Sequence, residues 1–234
     1  MRGAKHACPF LFSGVGMPTR EDFEMALTLA QEVCREQDPA CQAERAGVRW
    51  SPGGGDGGLR RGCAVIPFLG TAYVVQAPEG LVSYQESGTE EKDPALWEKI
   101  LVLHYFNRAD GELPAHEHMS FKEIPEGRLY QPNFEKRAVD PLLAAFGAEP
   151  QEVIEHCGSL GGSRGDLGDV SVTVPVFPRV PVTLVFWMGD EEFPPRLSVL
   201  FDKSISHYLP TEDIILACQM LAFRLIGMAK ARRR

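Results

Sequence analysis

The stretch that decides the fold is Gly158–Asp202, GSLGGSRGDLGDVSVTVPVFPRVPVTLVFWMGDEEFPPRLSVLFD. Val170–Val174 alternates apolar and polar residues, which predicts a strand with one buried and one solvated face. Val182–Trp187 is almost wholly apolar, which indicates a central strand covered on both faces. Leu197–Phe201 is a third strand-like run. Because the turns between these runs are short, the sequence predicts antiparallel pairing.

Two prolines stand between the first and second of these runs. Pro178 and Pro181 flank Arg179-Val180. Proline has no N–H to give to a ladder, so we expect this segment to lie outside the sheet interior.

Helical patterns and a second set of strands lie on either side of this stretch. Three short runs, Cys63–Phe68, Thr71–Gln76 and Leu81–Gln85, predict a small antiparallel meander. Apolar spacing and capping residues predict five helices: Glu21–Gln37 with Thr19 as its cap, Asp93–Asn107, Asn133–Phe146, Gln151–Cys157, and Thr211 to about Lys230. Gly111–Gly127 is expected to be a loop with one strand-like patch, Met119–Ile124.

These patterns predict an α+β fold, with helices packed against a mainly antiparallel sheet. We assign residues 63–234 to a single α+β domain. Residues 1–62 are interpreted as an N-terminal helix and a flexible loop appended to that domain, because SPGGGDGG at 51–58 offers no side chains for packing.

Composition limits the class of protein. The 234 residues carry a net charge of −8, so nucleic acid is not the expected partner. No apolar run approaches the ~20 residues that span a bilayer, and the N-terminal residues lack the apolar core of a signal peptide. We therefore expect a cytoplasmic protein without a membrane partner. The six cysteines show no CxxC spacing, so they are expected to pack as small apolar side chains.

An acidic group follows the predicted central strand. Asp190, Glu191 and Glu192 occupy one turn, and Asp202 ends the next run. Oxygen-rich groups of this kind suit calcium or magnesium, so Asp190, Glu191 and Asp202 are candidate ligands of a divalent cation. The alternative is an ordinary hairpin turn with solvated charges, because no EF-hand spacing is present.

Four histidines are candidates for ligand binding. His116 and His118 would point the same way in a strand and so both reach a metal; the alternative is two surface histidines. His104 lies in the apolar run LVLHYF, where it is either a core histidine bonded to a carbonyl or an axial ligand of a cofactor. His207 has Asp202 as a candidate orienting carboxylate; otherwise it supports a turn.

Several segments resemble a known family: ILVLHYFNRADG at Ile100–Gly111, SFKEIPEGRLYQPNFEKR at Ser120–Arg137, PLLAAFG at Pro141–Gly147, PRVPVTLVFWMGDEEFP at Pro178–Pro194 and LFDKSISHYLPTED at Leu200–Asp213. They are similar to an uncharacterised family of anaerobe proteins called domain of unknown function family 3786. The resemblance implies an anaerobic host and one-carbon or tetrapyrrole chemistry. Some relatives look fused to a four-cysteine iron–sulfur segment, a spacing that this chain lacks.

Two functions remain open from the sequence. The first is a binding protein for a corrinoid or haem. Its axial ligand would come from His104, His116, His118 or His207, with His116 or His118 expected first, and its walls from Tyr105, Phe106, Phe121 and Tyr130. The Gly161–Gly168 loop, with Gly161 and Gly162, would approach this ligand through its backbone. Corrinoid or iron–sulfur proteins are the expected partners.

The second function is a metal-dependent hydrolase that uses the acidic turn and a histidine. Nucleophilic catalysis has little support, because the chain has no GxSxG elbow. The Gly-rich loop also lacks the phosphate-binding pattern of a nucleotide site. An assembly protein without a ligand is the third alternative.

Overall fold

The three short runs after residue 62 form the centre of an antiparallel meander, as predicted. The computed structural model of the chain describes residues 19–53, 62–85 and 91–232. Sheet 1 has the order β1 (Trp50–Ser51), β2 (Gly62–Phe68), β3 (Thr71–Ala77), β4 (Leu81–Gln85) and β5 (Glu91–Lys92). The alternation of β2 buries Ala64, Ile66 and Phe68 and exposes the residues between them. Most of the predicted flexible loop at 51–58 lies outside the described residues.

The stretch 158–202 provides most of the second sheet. Its strands are β6 (His118–Ser120), β7 (Ser163–Gly165), β8 (Val170–Phe177), β9 (Val180–Trp187) and β10 (Arg196–Asp202), in the spatial order β6-β10-β9-β8-β7. Residues 182–186 of β9 are all buried. The prediction of a central apolar strand with β10 beside it is therefore confirmed, as is the α+β class.

The prediction about the two prolines is wrong. β8 and β9 continue to Phe177 and Val180, which face each other across the hairpin, so only Pro178 and Arg179 form the turn. Pro181 lies inside the sheet opposite Pro175, next to a register irregularity. Because the two residues without an N–H share one position of the ladder, the pairing is interrupted once rather than twice.

Seven α-helices lie within the described ranges: α1 (Arg20–Arg35), α2 (Pro39–Arg45), α3 (Leu96–Arg108), α4 (Gly127–Phe134), α5 (Asp140–Phe146), α6 (Gln151–Cys157) and α7 (Thr211–Arg232). Thr19 caps α1 as predicted, through reciprocal hydrogen bonds with Asp22. α3 begins three residues later than predicted. Its N-cap is Ala95, whose N–H donates to the Glu98 carboxylate over 2.7 Å.

The helix predicted from residue 133 begins earlier, at Gly127. A π-helical segment, Glu135–Val139, joins α4 to α5, and the Asp140 N–H donates to the carbonyl of Glu135. Pro141 has no N–H to continue the ordinary pattern, which favours the wider turn before it. The segment 111–127, expected to be a loop with a strand-like patch at Met119–Ile124, contains only the three-residue strand β6, followed by a 3-10 turn at Phe121–Glu123.

The last helix is part of the core. α7 packs against α4, α5, α6 and the π-helical segment. It is long and apolar enough to cross a membrane, with a mean hydropathy of 1.6, but half of that window is buried inside the fold. Its first turn also buries Glu212 and Asp213. These features are those of a core helix.

The two sheets share one apolar core. The Leu69 N–H donates to the Val176 carbonyl over 3.2 Å, and the rings of Phe68 and Phe177 stack with centroids 4.7 Å apart. Buried residues of α1 and α2 belong to the same cluster as those of β8 and α7. The domain boundary predicted at 62/63 falls after the first residue of β2, and Trp50 of β1 pairs with Ala64 across it.

Candidate functional site

A buried histidine–carboxylate pair is the best-defined polar cluster inside the fold. Nδ1 of His104, on α3, lies 2.6 Å from Oδ2 of Asp213 in the first turn of α7. The Asp213 side chain is 0% exposed and the His104 side chain is 16% exposed. The pair is therefore shielded from screening by solvent, and the N-terminal end of α7 favours the negative charge of Asp213.

The charge of Asp213 controls the protonation of His104. Burial by itself lowers the pKa of His104, and the nearby Arg108 guanidinium acts in the same direction. The Asp213 carboxylate raises that pKa through its charge and its hydrogen bond, and this effect prevails. The pKa of His104 is therefore raised above its ordinary value of 6.5.

Two polar atoms of the pair have no hydrogen-bond partner among the described residues. Oδ1 of Asp213 is buried and has no hydrogen-bond partner among the described residues. Within the same ranges, only Nδ1 of the His104 ring takes part in a hydrogen bond. An imidazole held at Nδ1 by a carboxylate presents a fixed Nε2, which is the arrangement found in metal-ligating and acid–base histidines.

Further polar groups surround this pair. Arg108, one turn after His104 on α3, donates from Nε and Nη2 to the Ser206 carbonyl at 3.2 and 3.1 Å. Burial lowers the pKa of Arg108, although the charge of Asp213 opposes this. Glu212, the residue before Asp213, is also buried, and its carboxylate is hydrogen-bonded to the Tyr130 side chain. Burial, together with the charge and hydrogen bond of Glu212, raises the pKa of the Tyr130 phenol.

The structure separates His116 and His118 from this pair. Both side chains are exposed, and His118 lies on the edge strand β6. His116 has a left-handed backbone, with φ of 57°, which non-glycine residues seldom adopt. The Asp202 carboxylate holds this conformation, because it accepts the N–H groups of Ala115 and His116 at 2.9 and 2.7 Å.

His207 has a different partner from the one expected. Its Nδ1 lies 2.7 Å from Oδ2 of Asp110, and both side chains are partly exposed. Asp202 instead accepts hydrogen bonds from the N–H and hydroxyl of Ser204 and from the loop before β6. The prediction that Asp202 orients His207 is wrong because Asp202 points toward residues 115–116.

The acidic group is not assembled as a cation site. Asp190 lies in the β9–β10 turn, where its carboxylate accepts the N–H groups of Glu192 and Phe193. Asp202 lies at the opposite end of β10, about 20 Å away by strand rise, so Asp190 and Glu191 cannot share a metal ion with it. No cluster of three or more His, Cys, Asp or Glu side chains suited to a metal occurs in the described part of the chain.

Most of the aromatic side chains proposed as cofactor walls are packed in the core. Tyr105 is fully buried and stacks on Phe177 and Tyr208, with ring centroids 4.3 and 5.8 Å away. Phe106 is also buried, and Phe121 stacks on Phe134 at 4.1 Å. Tyr105, Phe106 and Phe121 therefore cannot line an open cleft, whereas Tyr130 is only half-buried.

The glycine-rich loop packs closely against strands β8 and β9 of sheet 2. Gly161 ends a short 3-10 turn with a left-handed backbone. A Cβ on Gly162 would lie 2.9 Å from the carbonyl oxygens of both Cys157 and Thr173, so this residue lets the backbone pass close to β8. Asp169 accepts the Met188 N–H over 2.7 Å, which ties the loop to the end of β9.

Asp213 is the residue that sequence reasoning missed. It stands at the start of the last helix, where any negative charge is favourable. The single local signal was the pair Glu212-Asp213, which does not identify a partner. Its contact with His104 spans 109 positions of the chain.

Comparison with known proteins places the chain in a family. The family model described as Domain of unknown function (DUF3786) matches residues 38–224. Neither the curated proteins nor the solved structures include a match to the chain. Because the match covers most of the chain, including α3, both sheets and most of α7, the protein belongs to the DUF3786 family.

Proposed function

We propose that this protein binds a metal-bearing organic cofactor, with a corrinoid or other tetrapyrrole favoured, and that His104 would hold its metal. The observation that supports this proposal is the 2.6 Å contact between His104 Nδ1 and the buried Asp213 carboxylate. A carboxylate at one ring nitrogen fixes the tautomer and raises the basicity of the other, which suits coordination. His104 thus replaces the exposed His116 and His118 as the favoured ligand.

The surroundings of His104 provide polar anchors for such a cofactor. Arg108 lies one turn along the same helix face, and Tyr130 is half-buried beside Glu212. A cation suits carboxylate side groups of a tetrapyrrole, and a phenol suits amide or carboxylate groups. When bound, the cofactor would supply metal-centred chemistry, while His104 would supply a nitrogen ligand and its buried surroundings would exclude water.

We further propose that the protein acts in the cytoplasm of an anaerobe, with corrinoid or iron–sulfur proteins as partners. The resemblance of its segments to the family suggests this setting. The alternative, a metal-dependent hydrolase that uses the acidic turn and a histidine, is less supported, because Asp190 of that turn accepts the backbone N–H groups of Glu192 and Phe193 and Asp202 lies at the far end of β10.

Absorbance titration of the purified protein tests the proposal. Aquacobalamin and haem are added separately, under anaerobic conditions, to the wild type and to His104→Gln. We expect a saturable spectral shift with one of the two cofactors in the wild type, and its loss in the variant. His118→Gln is the matched control, since this histidine is exposed on the edge strand β6 and has no hydrogen bond to Asp213, and it should bind like the wild type.

Protonation provides a second readout. Coordination requires an unprotonated Nε2, so affinity should fall as pH drops below the raised pKa of His104. Circular dichroism of each variant checks that it is folded. No saturable shift with either cofactor, or a shift that persists in a folded His104→Gln protein, would show that the proposal is wrong.

A further inference from the structure

Four exposed apolar side chains lie at the same end of sheet 2. Leu167 belongs to the β7–β8 turn, Trp187 ends β9, and Met188 and Phe193 follow in the β9–β10 turn. Their exposed fractions are 39, 44, 52 and 62%, respectively. We call these four residues the tip patch. Clustered apolar side chains on a protein surface are typical of sites where another molecule binds.

The tip patch is held in place by its own turns. The Asp169 carboxylate accepts the Met188 N–H over 2.7 Å, and the Asp169 N–H donates to the Phe186 carbonyl over 3.1 Å. A Cβ on Gly168 would lie 2.7 Å from Val185 Cγ1 and 3.5 Å from Trp187 Cδ2. The β7–β8 turn therefore lies directly on β9, beside the indole of Trp187.

The second turn is closed by Asp190. Its N–H donates to the Phe193 carbonyl over 2.9 Å, and its carboxylate accepts the Phe193 N–H over 2.7 Å. Phe193 is thereby fixed in a short turn with its ring exposed. A patch that is ordered before binding loses little conformational entropy when a partner covers it.

The charge around the tip patch is negative. The two turns contain five carboxylates, Asp166, Asp169, Asp190, Glu191 and Glu192. The carboxylates of Asp169 and Asp190 accept hydrogen bonds from backbone N–H groups. The side chains of the other three, Asp166, Glu191 and Glu192, make no hydrogen bond or ion pair within the described ranges. The flanking cations are Arg164 and Arg196.

This charge selects the kind of partner. A second copy that presented the same surface would oppose acid to acid, which is unfavourable at a buried interface. A nucleic acid would be repelled in the same way. A basic segment gains attraction to the carboxylates, while apolar side chains interspersed in it cover the exposed rings.

We propose that the tip patch is a docking surface for a cationic, apolar segment of another protein. In this complex, Lys or Arg side chains of the partner face Asp166, Glu191 and Glu192, and its apolar side chains cover Trp187 and Phe193. Aromatic residues of this type commonly carry most of the binding energy of an interface. The proposal shares no residue with the His104 site and does not depend on a cofactor.

A labelled peptide of alternating lysine and leucine serves as the probe, followed by fluorescence anisotropy. The control peptide has glutamate in place of lysine. We expect saturable binding of the cationic peptide only, weakened by salt because the contacts are partly ionic. Phe193→Ser should weaken it by about tenfold or more. Phe223→Ser, which changes a phenylalanine on α7 that is 52% exposed, should leave it unchanged.

A second pair of variants separates local charge from net charge. Glu191→Lys with Glu192→Lys should abolish binding, whereas Glu32→Lys with Glu36→Lys, on and beside α1, changes the net charge equally and should retain most of it. Equal binding of the two peptides, or equal loss in the Phe193 and Phe223 variants, would overturn the proposal. Sedimentation that shows a dimer abolished by Phe193→Ser would also overturn it, by assigning the patch to a second copy.

Discussion

The imidazole of His104 and the carboxylate of Asp213 lie 109 positions apart in the chain, yet their Nδ1 and Oδ2 atoms are separated by 2.6 Å. The contact joins α3, which packs on α1, to the first turn of α7, which packs on α4, α5 and α6. One ionisable pair thus connects two helices of the core and defines the candidate site.

Asp213→Asn should destabilise the fold and lower the pKa of His104. The amide keeps the shape of the side chain but removes the charge that favours the imidazolium. We expect the free energy of unfolding to fall by about 1–3 kcal/mol. Urea denaturation measures the stability, and the NMR titration of the His104 ring measures the pKa. Asp110→Asn, in the partly exposed pair with His207, is the control and should cost less than about 1 kcal/mol.

The stability contributed by the pair should depend on pH in one direction. Because the pKa of His104 is raised above 6.5, the folded protein keeps a proton that the unfolded chain has lost. This stabilisation is complete below the unfolded-state pKa and is lost as pH rises through the folded-state pKa. The stability difference between wild type and His104→Gln should therefore shrink as pH increases above 6.5. A difference that grows with pH would contradict the assignment.

Asp202→Ala should loosen the loop before β6. The carboxylate accepts N–H groups of Ala115 and His116 and two hydrogen bonds from Ser204, and their loss leaves partly buried donors unsatisfied. We expect a loss of about 1–3 kcal/mol in the free energy of unfolding. Asp190→Ala, whose partners lie in an exposed turn, should cost less.

The same carboxylate predicts a response to acid. Burial raises the pKa of Asp202, but the hydrogen bonds from Ser204, Ala115 and His116 prevail and lower it below 3.8. The stability that the ionised Asp202 contributes is therefore fully present above pH 3.8 and is lost as pH falls through the lower folded-state pKa. Hydrogen exchange of the Ala115 and His116 amides should show less protection in Asp202→Ala at neutral pH. Unchanged protection would contradict the role of the Asp202 carboxylate in holding these two N–H groups.

Gly162→Ala should destabilise the protein by about 1–3 kcal/mol, because the new Cβ would press on two backbone carbonyls. Gly158→Ala is the matched control. A Cβ there meets nothing within 4 Å, and the backbone is right-handed, so this change should be neutral or stabilising by up to about 1 kcal/mol. Thermal unfolding of the two variants provides the comparison, and equal effects would mean that Gly162 does not form the close approach to β8.

The sequence by itself determined the α+β class and the approximate positions of most of the longer helices and strands. The apolar run at 182–187 requires cover on both faces, so its central place in a sheet follows from burial alone. Thr19 identified the start of α1, because its hydroxyl satisfies an N–H at the helix end locally. These features depend on residues within a few positions of one another, which is why a pattern predicts them.

Only the tertiary structure decided which polar groups meet. Asp202 was predicted to orient His207, but the pairing of β10 with β6 turns it toward Ala115 and His116. Asp190 and Asp202 flank one strand, and the extended length of β10 keeps them apart. His104 and Asp213 come together because the fold brings α3 and the first turn of α7 into one core. No local pattern records such a contact, since its energy depends on burial and geometry that arise only when the whole chain has folded.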